Sequence, residues 1–391
     1  MTAQVMENIR ALRPELVEMR RHFHQHPELG FKEVDTAKYI VDYLSALGLE
    51  IQCGVAGTGV VGLLKGKSAG KTIALRADMD ALPITEQSGA PYASQNPGVM
   101  HACGHDAHMA GLLGAAKVLS GMKDKLKGQV KFIFQPAEEG PGGAKPMIEA
   151  GVLEGVDAIV GCHVWYELPI GTIGFKHGPA QACLDAIDVT IKGKGSHGAW
   201  PHQGVDSIVT AAQVVSALQT ISAREVSPLE PVVVTIGTIN GGQAYNIIAD
   251  RVAMKGTVRA LSSELRASLP ERIERIIAGV CKAMRAEYEF TYHFGYPVTV
   301  NEETMTVFAE GVAGKIVGPD RVSRVPLPVM GGEDFAYYSE KIPGTYAWIG
   351  MQNDAKGIFH AHHTDKFDMD EDVLVTVAQF LTLSAIEYLG A

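Results

Sequence analysis

Apolar residues in the first half of the chain follow two spacings. Ala37–Leu47 repeats at helical intervals and stops at Gly48, while "TGVVGLLKG" and "KTIALRADMD" are short apolar runs that read as strands, the second with a charged tip. "DAHMAGLLGAAKVLSGM" predicts a buried helix with Asp106 as its N-cap and an end near Gly121. "QVKFIFQPAEEG" is a strand running into an acidic tip, and "DAIVGCHVW" is another short buried strand. Ahead of them, "MTAQVMENIRALRPELVEMRRHFHQHPELGF" reads as one amphipathic helix. Strands alternating with helices predict an α/β domain with a mostly parallel central sheet flanked by helices. Such sheets build their sites at the carboxyl ends of strands. Asp78, Asp80, Glu138, Glu139 and His163 all lie at or near such ends.

The middle of the chain has a different rhythm. "LDAIDVTIKGKG" is an alternating strand and "VDSIVTAAQVVSALQTIS" a helix. "PVVVTIGTING" and "RVAMKGTVRAL" are strands, "SELRASLPERIERIIAGVCKAMRAEY" is helical with one internal Pro, and "YEFTYHFGYP" is a strand. The order β-α-β-β-α-β fits a ferredoxin-like unit. After about Pro297 the α/β pattern resumes with the strand "GTYAWIGM" and a closing helix, "DEDVLVTVAQFLTLSAIEYL". The boundaries that follow are residues 1–184 and 297–391 for the α/β domain and 185–296 for the inserted one.

Composition narrows the function classes. A chain of 391 residues points to two domains, and 46% apolar with 20% charged residues is ordinary for a soluble globular protein. A net charge of −10 argues against a nucleic-acid partner, since phosphate binding needs a basic surface. No apolar run approaches the roughly 20 residues that span a bilayer, and the N-terminus lacks the apolar core of a signal peptide. The five cysteines (Cys53, Cys103, Cys162, Cys183, Cys281) are few, odd in number and scattered. They suggest a reduced cytoplasm and buried thiols rather than a disulfide framework.

Metal-capable side chains gather in four places. "MHACGHDAHMAG" holds His101, Cys103, His105, Asp106 and His108; "QPAEEG" holds Glu138 and Glu139; "GCHVW" holds His163; "FHAHHTDKFDMDE" holds His360, His362 and His363. The paired aspartates of "RADMDALP" add Asp78 and Asp80. Imidazole, carboxylate and thiolate are the ligands of Lewis-acidic divalent metals. A hydrolase also needs a carboxylate outside the ligand set to take the proton from water. Adjacent glutamates at a strand end can divide those tasks. Each piece has a plainer reading: a hydrogen-bonded core histidine for His163, a solvated face for Glu138-Glu139, a surface loop for His360–His363, a buried thiol for Cys103. Their joint occurrence at the strand ends favours a metal site.

These segments, together with "RRHFHQHPELGF", "GKGSHGAWPH", "GGQAYNIIAD", "GTVRAL" and "GGEDFAYY", make the chain resemble the M20 metallopeptidase and amidohydrolase family over nearly its whole length. The branch it looks most like is that of hippurate hydrolases, N-acyl-amino-acid aminoacylases and auxin-conjugate hydrolases. The resemblance implies that the inserted domain is a lid through which a homodimer or dimer-based oligomer forms. It implies that Cys103, His105, Glu139, His163 and one C-terminal histidine bind two divalent metals (Zn, Mn, Co or Ni, with Zn or Mn favoured). Glu138 would be the general base and later the proton donor, and Asp80 would orient a ligating histidine. Asp78 stands where many family members place a histidine ligand, so a supporting role is expected of it. The family's C-terminal pattern is His-x-Pro-Lys/Arg-Phe. Counting back three from Lys366 gives His363, but Asp365 replaces the usual Pro, and His362 is the alternative.

In the inserted domain, the resemblance implies that His197 reaches the partner subunit's site and stabilises an oxyanion. Asn246 and Arg259 would hold the substrate, Arg259 by its free carboxylate. Plainer readings are a turn residue for His197 and a strand-end salt bridge for Arg259. The expected activity is hydrolysis of the amide bond of small-molecule N-acyl (acetyl, benzoyl or other aryl-acyl) amino acids. The alternatives are a dipeptidase or carboxypeptidase of the same family, a non-catalytic metal-binding protein, and a thiol redox role for Cys103.

Overall fold

The computed structural model describes residues 2–390. The chain divides into two compact units. One takes Met1–Gly178, Val300–Leu327 and Asp334–Ala391; the other takes Pro179–Thr299 and Pro328–Glu333.

The first unit opens with α1 (Thr2–Ala11), α2 (Arg13–Gln25), α3 (Val34–Ala46), β1 (Glu50–Val55), β2 (Gly59–Lys65), β3 (Ser68–Asp78), α4 (His105–Ser120), β4 (Lys127–Gln135), α5 (Ala144–Glu149), β5 (Ala158–Pro169) and β6 (Ile173–Phe175). From β7 (Gly178–Gln181) the chain enters the second unit, with β8 (Leu184–Lys192), β9 (Ser196–His197), α6 (Ser207–Leu218), β10 (Val232–Gly241), β11 (Ile247–Ile248), β12 (Arg251–Ala260), α7 (Ser263–Met284) and β13 (Glu287–Tyr296). It returns at β14 (Thr299–Asn301) and ends with α8 (Glu303–Val317), β15 (Val322–Arg324), α9 (Ala336–Ser339), β16 (Gly344–Gln352) and α10 (Val373–Leu389).

The first unit is built on an eight-stranded sheet in the order β1-β2-β4-β3-β5-β16-β6-β15. Its central neighbours β4-β3, β3-β5 and β5-β16 are parallel, while β1-β2 and β2-β4 are antiparallel. This is the mostly parallel α/β sheet expected. Parallel neighbours need crossover connections, and α4 and α5 supply them for β3→β4 and β4→β5. In register, Asp78 stands opposite Gln135, so β3 and β4 release their acidic tips side by side.

Helix α4 is apolar on every side and buried nearly throughout, as expected of a helix enclosed by its neighbours. Two glycines allow that enclosure. A Cβ on Gly111 would lie 2.3 Å from Val377 of α10, and one on Gly114 2.6 Å from Leu16 of α2. The packing of α2 and α10 therefore fixes where α4 begins.

Two local expectations are corrected here. The N-terminal segment is two helices, because Pro14 lacks the N–H that a helix interior requires and is tolerated at the first turn of α2. Asp106 is not the N-cap of α4. That position belongs to Gly104, whose φ of 94° suits glycine and whose Cβ would lie 2.4 Å from Val164. Asp106 sits within the first turn and faces α2: its Oδ2 accepts from Arg20 Nε at 2.8 Å and from His24 Nδ1 at 2.7 Å. Arg20 also reaches Asp368 at 3.1 Å and Glu371 at 3.5 Å.

The second unit has a four-stranded antiparallel sheet in the order β10-β12-β8-β13. Taken in chain sequence its strands lie 2-3-1-4, and with α6 and α7 between them the connectivity is β-α-β-β-α-β. Ile187, Val189 and Ile191 of β8 and Leu269, Ile273 and Ile277 of α7 make its core. Asp206 caps α6, accepting from the amides of Ile208 and Val209. Among the described residues no helix is long and apolar enough to cross a membrane.

Arg20 and Asp106 are both wholly excluded from solvent. Removing one member of a buried pair strands the other charge, at a cost of about 3–5 kcal/mol. Arg20→Met is therefore expected to lower the unfolding free energy by about that amount in urea titrations; a loss under 1 kcal/mol would contradict this role.

Candidate metal centre

One helix start, one strand, the turn after another strand and one loop bring the donors together. Gly104 turns the chain so that Cys103 and His105 flank the entry to α4, His163 lies within β5, and Glu138 and Glu139 follow β4. His363 comes from the loop before α10, and its φ of 63° is left-handed. Donor atoms lie within 4.8 Å of one another in each of three overlapping groups: Cys103, His105 and His163; Cys103, Glu139 and His363; His105, Glu138 and Glu139. Cys103 joins the first two groups, and Glu139 the last two.

The imidazoles are oriented by the backbone. His105 Nδ1 donates to the Asp80 carbonyl at 2.9 Å, and His163 Nδ1 donates to the Val164 carbonyl at 2.6 Å. Both rings thereby aim Nε2 at the cluster, where the neutral form of each ring offers a lone pair, the arrangement of a metal-ligating histidine. His163 Nε2 lies 3.4 Å from Cys103 Sγ. His105 Nε2 is buried without a hydrogen-bond partner; its nearest carboxylate oxygens are 3.7 Å away on Asp78 and 3.9 Å away on Glu139. A buried orphan nitrogen facing a thiol and carboxylates is what an ion site leaves when its donors are considered alone. His363 Nε2 is 3.0 Å from Glu139 Oε1.

Asp80 organises the acidic tip. Its Oδ1 accepts from the Glu138 amide and its Oδ2 from the Glu139 amide, each at 2.9 Å. It therefore fixes both glutamates as well as His105. Asp78 is held by Arg76 Nη1 at 2.7 Å and His108 Nδ1 at 2.6 Å. His108 Nε2 accepts from the Val164 amide at 3.0 Å, so both of its nitrogens are engaged. Asp78, His105 and His108 also lie close together, but these bonds mark Asp78 and His108 as supports.

The electrostatics call for cations. Burial and the nearby Glu139 and Glu138 push the Cys103 thiol well above its ordinary value. Burial opposes the charged form of His105, but Asp78, Asp80 and Glu139 outweigh it and push the imidazole up to about 10. Burial, with His108 and His362 nearby, holds His163 well below the usual histidine range. Divalent ions reverse this logic: a coordinated thiol is deprotonated, and the carboxylates gain positive neighbours.

The remaining expected residues separate clearly. His362 Nε2 lies 2.9 Å from the Val164 carbonyl, and burial drives it down to about 3. Only His363 of the pair faces Glu139. His360 packs beside Phe359, with ring centroids 4.8 Å apart. His197 and Asn246 belong to the second unit, in one ribbon: Ile247 pairs with His197, and the Gly198 amide donates to the Asn246 carbonyl at 2.7 Å. Both side chains are exposed. Arg259 on β12 is half-buried and donates to the Val258 carbonyl at 3.0 Å and the Asp185 carbonyl at 3.4 Å, with no carboxylate partner among the described residues. The sequence reading missed the supports Arg20, His24, Glu33 and His108. For the first three the signal was the concentration of polar residues in "RRHFHQHPELGFKE"; His108 stood in "MHACGHDAHMAG" without an assigned role.

Comparisons with known proteins identify the family. A family model described as peptidase family M20/M25/M40 matches residues 74–387. The chain is 42% identical over 379 residues to N-acetyl-L-cysteine deacetylase of Bacillus subtilis, covering 97% of this chain and 89% of the relative. It is 40% identical over 389 residues to thermostable carboxypeptidase 1 of Saccharolobus solfataricus, covering 98% of each. A solved Bacillus subtilis structure, described as a dinuclear metal binding peptidase, matches with a TM-score of 0.86 at 39% identity over 97% of this chain and 99% of that one.

If His363 is the ligand, His363→Ala weakens binding of Zn or Mn by about 10–100-fold in chelator competition, whereas His362→Ala has a smaller effect. The reverse order would move the assignment to His362. Metal added at about 100 times its dissociation constant should stabilise stripped protein by about 2.7 kcal/mol; an unchanged unfolding midpoint would argue against a resident ion.

Proposed function

The chain belongs to peptidase family M20/M25/M40, and from that premise we propose that it is a metal-dependent amidohydrolase that releases free amino acids from N-acyl amino acids. The observation that carries this reading is the acidic tip after β4. Glu138 and Glu139 are adjacent, their amides are pinned by one aspartate, and both approach His105. A binding protein needs one such ligand; a hydrolase needs a ligand and a base.

In this reading Cys103, His105, Glu139, His163 and His363 hold two divalent ions, of which Zn and Mn suit the mixed thiolate, imidazole and carboxylate donors. Such ions would make a bound water acidic enough to ionise near neutral pH and would polarise a carbonyl. The Glu138 carboxylate takes a proton from the attacking water and returns it to the nitrogen of the departing amine, so one group serves as base and then acid. Asp80 keeps that carboxylate in place through the Glu138 amide. Arg259 clamps the substrate's free carboxylate with parallel hydrogen bonds, and Asn246 binds alongside it. His197 donates to the oxygen that gains negative charge at the carbonyl.

We assign His197 to the site of a second copy, making the enzyme a homodimer through the second unit. Helix α6, "SIVTAAQVVSAL", carries no charge and exposes Ile208 and Val209. Strand β10 is an edge with Ile239 exposed. An uncharged apolar helix face beside an open strand edge suits burial against its own copy.

Peptides form the second substrate class, because a peptide is also an acylated amino acid and one relative is named a carboxypeptidase. A hydrolysis screen over N-acetyl, N-benzoyl and indole-acyl amino acids plus dipeptides ranks the two.

Glu138→Gln should retain metal and lose at least about two orders of magnitude in kcat; near-normal turnover would remove Glu138 from the base role. Mixing inactive Glu138→Gln and His197→Ala subunits should restore partial activity, since some hybrids hold one intact site. Hybrids that form and stay inactive would place His197 in its own subunit's chemistry.

A further inference from the structure

The turn that presents Glu138 and Glu139 rests on a segment far away in sequence. Three successive amides leave the end of β4, and each meets a carboxylate. Asp80 takes those of Glu138 and Glu139, and Glu33 Oε1 takes that of Ala137 at 2.9 Å. Glu33 is completely buried. The Thr58 hydroxyl donates to its other oxygen at 2.5 Å. Although Glu33 occupies the N-cap position of α3, its side chain does not cap that helix. The Glu28 carboxylate does so instead, accepting from Val34, Asp35 and Thr36 amides at 3.1, 3.3 and 2.9 Å. Glu33 is thus released from its local task to serve the β4 turn.

A second, independent contact joins the same two segments. A Cβ at Gly30 would lie 2.8 Å from the Gly140 carbonyl oxygen and 3.0 Å from Ala137 Cβ. The backbones approach so closely that only glycine fits. Ala137 itself holds a φ of 54°, a left-handed conformation that costs a non-glycine residue energy and persists only where its surroundings impose it. The same loop also supports the other acidic tip: the Glu28 carbonyl accepts from the Ala81 amide at 2.8 Å, and Leu29 bridges Ala81, next to Asp80.

We propose that the Glu28–Glu33 loop is a buttress for the acidic tips and that Glu33 is a positioning residue for Glu138 and Glu139, acting through the Ala137 amide. The proposal rests on the assignment of Glu138 as base and Glu139 as ligand. Its physical content is that Glu33 holds Ala137 left-handed, so that the next two side chains leave the backbone toward His105. Without that acceptor the Ala137 amide is buried and unsatisfied, and the turn relaxes.

The test compares Glu33→Ala with Glu33→Gln, whose amide oxygen still accepts from Ala137. Three readouts are taken: metal affinity by chelator competition, hydrogen exchange of the peptide spanning residues 132–145, and kcat with KM on an N-acyl amino acid. Glu33→Ala should show faster exchange in that peptide, metal affinity or kcat lowered by about 10–100-fold, and KM changed by less than about threefold. Glu33→Gln should recover each readout to within about threefold of the native protein. The proposal is overturned if Glu33→Ala leaves affinity and kcat within twofold of native, or if Glu33→Gln is as impaired as the alanine. If Glu33→Ala does not fold, Thr58→Val decides: a few-fold change in the same readouts supports the buttress, and no change overturns it. Exchange and metal affinity need no turnover, so failure of the base assignment, read from Glu138→Gln, is seen separately.

Discussion

The Asp80 carboxylate bonded to two consecutive backbone amides is the interaction on which the metal centre depends. Asp78, Asp80, Glu138 and Glu139 crowd one buried region, and buried carboxylates are stable only when paired or hydrogen-bonded. The structure settles this by unequal allocation. Asp80 is committed to the Glu138 and Glu139 amides, and Asp78 to Arg76 and His108. The two glutamates and the Cys103 thiol then face His105, His163 and His363. A charged His105 offsets part of the glutamates' charge, while burial keeps Cys103 and His163 in their neutral forms. Divalent cations would offset the charge further and release the His105 and Cys103 protons, which couples metal affinity to pH.

The supports explain why a site drawn from distant segments is well defined. Cys103 and His105 are set by the start of α4, and α4 is set by glycine-mediated contacts with α2 and α10. The Arg20–Asp106 pair, with His24 against both Asp106 and Glu86, ties α2 to that same first turn. The aspartate after His105 thus faces away from the donors and anchors the loop from behind. Backbone carbonyls accept from Nδ1 of both His105 and His163, and the Asp80 carboxylate also lies 3.4 Å from His105 Nδ1.

What could be read from sequence follows from the range of the interactions. The strand ends, the acidic tips and the buried helix are encoded in spacing over ten or so residues, and the mostly parallel sheet emerged from their alternation. Candidate donors stood out because their chemistry is unusual and the motifs resemble those of a known family. Supports were invisible, because their partners are remote: Arg20 finds Asp106 86 positions away, and Glu33 finds Ala137 104 positions away. Asp106 was misread as a cap because local rules favour aspartate before a helix, and only the tertiary position of Arg20 shows otherwise. His362 and His363 are neighbours of one chemical type. What separates them is backbone direction, since a left-handed residue at His363 sends consecutive side chains to different surroundings.

The second unit contains a contrast that bears on substrate class. Arg259 and Arg266 both approach Asp185, yet that carboxylate is already full. It accepts from Arg266 Nε at 2.9 Å and Nη2 at 2.6 Å, from the Tyr292 hydroxyl at 2.8 Å and from the Gly295 amide at 2.9 Å. Four donors on two oxygens leave nothing for Arg259, which reaches only the Asp185 backbone carbonyl, the Val258 carbonyl and the Thr257 hydroxyl. A half-buried guanidinium with neutral partners retains most of its attraction for an anion, and its planar fork matches a carboxylate. If Arg259 binds substrate as proposed, an amide lacking a free carboxylate would leave that charge without a counterion, which would favour N-acyl amino acids over simple amides.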